Sequence, residues 1–319
     1  MLDIFAVTAP FFGLVLAGWA ATRLRWMPLE SIPGLNGFVL FFALPCMLFR
    51  FAASTPIAKL MDAGVVSLYL LSAGVMVALS VATTRRRVGG WNDASFGALV
   101  AAFPNSGFIG VPLLVALLGE RAAAPAIVAL AIDMVATSSL CIALSRLGAA
   151  GSQGAAHAVA GALRGMVSNP LPWAIVLGSL SSASSLQAPP AVMGVVELLA
   201  GAASPVALFA LGGVLARAQM STQRSAMPGG VAQVVAYKLL VHPLLVLALG
   251  RLAIALGLPL DPFAATVLVL VAALPSASNV PMLAERFRAD AGRLARIVLF
   301  STAGAFLSFS AAVALLASR

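Results

Sequence analysis

The chain has 319 residues, of which 61% are hydrophobic and only 9% charged. That mix excludes a soluble domain, and apolar runs near the ~20 residues needed to cross a bilayer recur along the whole length. The net charge of +9 does not point to nucleic acid, because the basic residues sit at the ends of apolar runs, as membrane topology requires.

Ten spans are expected, at 4–22, 32–49, 63–84, 94–118, 123–145, 167–183, 191–215, 230–250, 263–284 and 297–317. The first begins at Ile4 behind Asp3, with no basic n-region, and reads as a retained span rather than a cleaved signal peptide. The segment 153–166, with His157 and Arg164, is too polar to cross and suits a short amphipathic helix along the interface. Cys46 and Cys141 stand isolated within spans and read as packing residues. Neither a metal site nor a cofactor is expected.

Orientation follows from the basic residues. With the N-terminus outside, the cytoplasmic connections carry thirteen Lys and Arg, including Arg85-Arg86-Arg87, and the outer side carries five. The positive-inside rule therefore places both termini outside and makes the arginine run a topology anchor.

Two stretches within apolar runs should not be helical. One is Phe103-Pro104-Asn105-Ser106-Gly107-Phe108-Ile109-Gly110-Val111-Pro112, in the fourth span. The other is Leu274-Pro275-Ser276-Ala277-Ser278-Asn279-Val280-Pro281, in the ninth. Proline lacks an N–H and crowds the carbonyl four residues back, so Pro104 frees the carbonyl of Val100 and Pro275 that of Val271. Unwound backbone at membrane depth is tolerated only where protein or a watery cavity surrounds it. Corresponding broken segments in two halves of a chain are a sequence pointer to a transporter's binding site. Pro45 and Pro205 are lone prolines and read as kinks in a rigid frame.

The chain also resembles itself. Slid by 160 residues, Pro10 falls on Pro170, Gly18 on Gly178, and Pro45-x-x-Leu48-Phe49 on Pro205-x-x-Leu208-Phe209. With a further insertion of about a dozen residues, Pro104 pairs with Pro275. Each half holds five spans, and an odd number sends the second half into the membrane the other way round. The fold class read from this is all-α and polytopic, with two inverted five-helix repeats at 1–148 and 167–319, joined by a short cytoplasmic link at 149–166. The two breaks then meet near the bilayer centre.

Candidate substrate contacts lie in the breaks. Asn105 and Asn279 can donate and accept, Ser106, Ser276 and Ser278 add hydroxyls, and Gly107 and Gly110 let backbone approach closely. Exposed half-helix N-termini suit a carboxylate. The alternative is that the Asn and Ser side chains merely cap interrupted helices. Asp133, Glu197, Lys238 and His242 are ionisable residues within spans, each a functional hypothesis by default. Asp133 is the first candidate for a proton or cation site. Lys238 either attracts an anion or an acidic partner, or snorkels to the interface. Glu197 lies nearer a span end, and His242 either titrates or packs as a hydrogen-bonded histidine.

No H-E-x-x-H, G-x-S-x-G or GxxxxGK[ST] motif is present, which argues against an enzyme and against a nucleotide-driven pump.

The motifs Leu35-Asn36-Gly37-Phe38-Val39 with Ala43-Leu44-Pro45, Phe103 to Leu114, Asn169-Pro170-Leu171, Pro205 to Gly212, Lys238-Leu239, and Ala273-Leu274-Pro275 leading to Leu283-Ala284-Glu285-Arg286-Phe287 carry a resemblance over nearly the whole chain. It resembles the auxin efflux carrier family, in the bacterial branch that includes malonate-type carriers. The resemblance implies a bacterial plasma-membrane protein with ten helices. Spans 1, 2, 6 and 7 would form a scaffold that often dimerises, and spans 3–5 and 8–10 a transport domain. Broken helices four and nine would cross at the substrate site, bringing Pro104, Asn105, Pro275 and Asn279 to it, and Pro112 in the first break is a further substrate-binding candidate. Family members carry organic anions by an elevator-like movement. The link from Arg146 to Val167 is short, unlike the long loop of plant auxin exporters, which argues against auxin itself.

The expected function is a secondary active carrier of a small mono- or dicarboxylate, with proton or sodium coupling. The alternatives are a membrane sensor or assembly protein that kept the carrier fold without transporting, and a channel.

Overall fold

The structure is a computed structural model that describes residues 2–147, 170–184, 188–221 and 229–316. The interfacial helix expected at 153–166 lies outside the described residues. Among the described residues the chain is all-helical and without strands. Besides a single turn at Ile57–Leu60, the helices are α1 (Leu2–Arg23), α2 (Ser31–Ser54), α3 (Ala63–Thr84), α4 (Trp91–Ala102), α5 (Ser106–Leu118), α6 (Glu120–Ser145), α7 (Pro170–Ser184), α8 (Pro190–Ser221), α9 (Val231–Ala255), α10 (Pro262–Ala273), α11 (Val280–Arg286) and α12 (Ala291–Leu316). Six of these, α2, α3, α6, α8, α9 and α12, are long and apolar enough to cross a membrane. The fourth expected span is split into α4 and α5, and the ninth into α10 and α11, at the proline-bracketed stretches.

Proline has a second effect. Wide π-helical turns occupy Val39–Ala43 in α2, Ser106–Gly110 in α5 and Tyr237–Val241 in α9. Each ends two residues before a proline, namely Pro45, Pro112 and Pro243. The carbonyl each proline cannot serve, that of Phe41, Phe108 or Leu239, is the middle one of its wide turn. A π turn moves every bond one residue further along, as in Leu44 N–H to Val39 O and His242 N–H to Tyr237 O. In all three the helix continues past the proline instead of breaking. Pro45 is thus accommodated by local widening. A fourth wide turn, Asp133–Thr137 in α6, has no proline after it.

The described residues fall into two compact units. The first is drawn from Met1–Asp62, Gly107–Val128 and Val167–Met220. Here the last part of α2 packs along α7, and glycines set the closest approaches. A side chain at Gly18 of α1 would collide with the Phe209 carbonyl of α8, and one at Gly178 of α7 would come 2.6 Å from the Phe49 carbonyl of α2. The two contacts are reciprocal, because 160 residues separate Gly18 from Gly178 and also Phe49 from Phe209. Pro112, half-buried, lies in this unit, as does the exposed Glu197.

The second unit is drawn from Ala63–Ser106, Ala129–Met166 and Ser221–Arg319. Within it α3 packs on α4, α9 on α10, and α4 on the last turns of α6. The break-bearing helices are the innermost. Every residue of α4 from Ala94 to Ala102 is buried, and so is nearly all of α10. Their sequences accordingly show no polar face, the pattern of a helix surrounded on all sides.

Candidate functional site

The site is built where α4 and α10 stop. Pro104 and Pro275 each end a helix, and the freed backbone segments pair with one another. Asn105 N–H donates to the Pro275 carbonyl at 2.8 Å, and Ala277 N–H to the Phe103 carbonyl at 3.0 Å. Pro104 and Ser276 thereby face each other as an isolated antiparallel bridge. The carbonyl orphaned by Pro104, that of Val100, accepts from the Ser276 hydroxyl at 2.7 Å. The carbonyl orphaned by Pro275, that of Val271, accepts from Leu274 N–H at 3.2 Å. Ser276 N–H donates to the Ser301 hydroxyl of α12 at 3.2 Å. Buried backbone groups need partners, and these bonds supply them without a helix.

The expected contacts divide by environment. Ser106 and Ser276 are fully buried, with their hydroxyls donating to the Pro104 and Val100 carbonyls. Asn105 is only 4% exposed, and its amide Nδ2 is buried with no hydrogen-bond partner. Ser278 is 9% exposed, whereas Asn279 is open to the surface. Asn279 occupies the cap position of α11, yet its side chain makes no capping bond. The capping role is therefore not realised by the Asn279 side chain, and the two asparagines are not equivalent in burial. A buried orphan amide costs about 1–3 kcal/mol, which singles out Asn105 as the polar group of the crossing left over by the fold.

The ionisable residues form a second cluster in the same unit. Asp133 is completely buried in the wide turn of α6. Its carboxylate accepts from the Tyr69 hydroxyl of α3 at 2.7 Å and from the Thr137 hydroxyl at 2.9 Å. Lys238 is also completely buried, in the wide turn of α9. Its Nζ lies 3.2 Å from His242 Nδ1 and donates to the Ala272 carbonyl at 3.1 Å. Ala272 is three residues before Pro275. A helix leaves its last carbonyls unpaired and carries partial negative charge there, so a lysine at the end of α10 answers both needs. Snorkelling is not the geometry adopted. The Tyr69 ring lies 6.3 Å from that of His242, completing a line of contacts from Asp133 through Tyr69, His242 and Lys238 to the end of α10.

Two buried polar residues of this unit escape a reading of motifs. Tyr69 is one of only two tyrosines and sits mid-span, where its hydroxyl needs a buried partner. Arg293 counts as a topology residue in the sequence, yet it is 3% exposed at the start of α12. Its Nη1 donates to the Asp93 carbonyl at 3.1 Å, while Nε and Nη2 are buried without partners. Asp290, exposed three residues before it, caps the start of α12 by accepting from Arg293 N–H at 2.8 Å.

A profile of the family described as "Membrane transport protein" matches residues 3–158 and 155–313. A protein of Rhizobium meliloti (strain 1021) named "Putative malonate transporter" is 28% identical over 307 residues, covering 95% of this chain and 92% of that protein. Both matches extend over helices on either side of the two breaks. The protein is a multi-pass membrane transporter for a small molecule, not an enzyme. The chain belongs to the membrane transport protein family, that of the auxin efflux carriers.

Proposed function

We propose that this transporter is a secondary active carrier of a small organic anion, a mono- or dicarboxylate such as malonate, working by elevator-type alternating access. The observation that carries the reading is Asn105, a buried amide with no partner, held where two broken segments pair. Binding energy is greatest where a ligand supplies the missing partner of a desolvated polar group. A carboxylate is the natural acceptor for an amide N–H. Ser106, Ser276 and Ser278 complete the polar lining, with Pro104 and Pro275 holding the backbone open and Asn279 at the exposed margin. The name of the Rhizobium meliloti relative supports the carboxylate class.

Asp133 and Lys238 are the coupling groups in this reading. Asp133 takes the proton or sodium ion, and Lys238 reports its state to the end of α10 through the Ala272 carbonyl. Discontinuous helices with charged neighbours are the usual means of linking an ion to a substrate at midplane.

The larger frame is ten transmembrane helices in two inverted repeats. The reciprocal pairs Gly18–Phe209 and Gly178–Phe49 support that repeat. Spans 3–5 and 8–10 move as the transport domain against a scaffold of spans 1, 2, 6 and 7, which also forms the homodimer interface. The protein resides in a bacterial inner membrane with both termini outside. Purified protein in vesicles should take up labelled malonate or a related carboxylate saturably, and Asn105→Ala should remove that uptake. Wild-type rates in both Asn105→Ala and Asn279→Ala would refute the assigned site.

A further inference from the structure

A groove on the second unit lies apart from the site just described. It has a volume of about 770 Å³ and is lined by Gly74, Val77, Ala78, Val81 and Ala82 of α3, by Leu140 and Leu144 of α6, and by Arg85, Arg86 and Trp91 at one end. Gly74, Ala78 and Ala82 follow one another four residues apart, so small side chains hollow out one wall. Ala78, Ala82 and Leu140 are exposed, which opens the groove outward along helices that cross the membrane. Whatever fills it there comes from the bilayer.

The three arginines that follow α3 do different things. Arg87 turns to α9, where Nη1 donates to Gln233 at 3.2 Å. Arg85 lies over the Trp91 indole at 4.5 Å, at the mouth of the groove, and Arg86 beside it is exposed. The groove is thus apolar along its length and doubly cationic at one end. From Gly74 to Arg85 the helix rises about 16 Å at ~1.5 Å per residue. Half of a ~30 Å hydrocarbon core is about 15 Å, the depth of one leaflet. A tryptophan at the charged end fits the level at which headgroups begin.

We propose that this groove binds an anionic phospholipid, its acyl chain along Gly74, Ala78, Ala82 and Leu140 and its phosphate on Arg85 and Arg86. Length, apolarity and charge each match a different part of that one molecule. Basic residues directly beside a membrane span attract anionic lipid by about fivefold each. The same α3 carries Tyr69 on its buried face, so the lipid would bear on the helix whose tyrosine hydroxyl donates to Asp133.

The test is native mass spectrometry of the full-length protein in detergent with equal amounts of phosphatidylglycerol and phosphatidylcholine. The wild type should retain phosphatidylglycerol at least fivefold over phosphatidylcholine. Arg85→Gln combined with Arg86→Gln should erase that preference, Arg87→Gln should keep it, and Ala78→Phe should lower retention of both lipids. An equal effect of Arg87→Gln would reduce the preference to general charge and overturn the site. Undiminished retention in Ala78→Phe would overturn it too, as would displacement of the lipid by glycerol 3-phosphate at the same concentration, since that would leave the acyl chain without a role.

Discussion

The Ser276 hydroxyl donates to the Val100 carbonyl at 2.7 Å, and Val100 is the residue whose carbonyl Pro104 leaves unserved. One broken segment thus repairs the defect in the other. The repair is local and specific, because few groups besides a short hydroxyl reach a carbonyl at the end of so buried a helix as α4. Ser276→Ala should leave that carbonyl orphaned and cost about 1–3 kcal/mol. Thermal unfolding in detergent reads it as a lower midpoint. An unchanged midpoint would mean that the carbonyl finds another donor.

Asp133 and Tyr69 make a second testable pair. Asp133→Asn keeps the shape of the carboxyl group and removes its charge. In vesicles it should leave downhill exchange intact and abolish accumulation against a gradient. Tyr69→Phe removes one hydrogen bond to a charged group, about 1.5 kcal/mol, and should slow coupled transport about tenfold. Full accumulation by Asp133→Asn would remove Asp133 from the coupling role.

Lys238 links the ionisable cluster to the crossing. Lys238→Met keeps an unbranched side chain but leaves the Ala272 carbonyl without its donor. The expected result is a folded protein, less stable by about 1–3 kcal/mol, with uptake strongly reduced. Circular dichroism with vesicle uptake separates the two effects. Normal uptake would make Lys238 a structural residue only.

The reciprocal glycine contacts can be tested as a pair. Gly18→Ala and Gly178→Ala each place a methyl group against a facing carbonyl, that of Phe209 or Phe49. Overpacking of this kind costs about 1–3 kcal/mol and should lower the unfolding midpoint in both variants. Gly13 on α1 has nothing within 4 Å of its added Cβ, so Gly13→Ala should be neutral or slightly stabilising. Equal behaviour of all three would deny that the contacts are close.

Much of this is legible from proline and glycine because their effects are local. Pro104 and Pro275 announce the breaks from chemistry that needs no partner to be known. Gly18 and Gly178 appear as a repeat before their contacts are visible. The pairing of the breaks depends on a long-range fold, so the Ser276 to Val100 bond cannot be read from either segment alone. Asn105 and Asn279 look alike in sequence, yet burial separates them, and burial is a property of the assembled fold rather than of either segment. Pro45 reads as a kink, and the structure adds a wide turn at Val39–Ala43 just before it, which the sequence does not announce. Asp133 and Lys238 stand out as charges in apolar runs, but their partners Tyr69 and Ala272 are 64 and 34 residues away.

The most direct test of the central claim is uptake of labelled malonate and related mono- and dicarboxylates by vesicles holding purified protein, compared with the Asn105→Ala variant. The account predicts saturable uptake of at least one of these anions by the wild type and its loss in the variant. Equal saturable uptake by both proteins would contradict it.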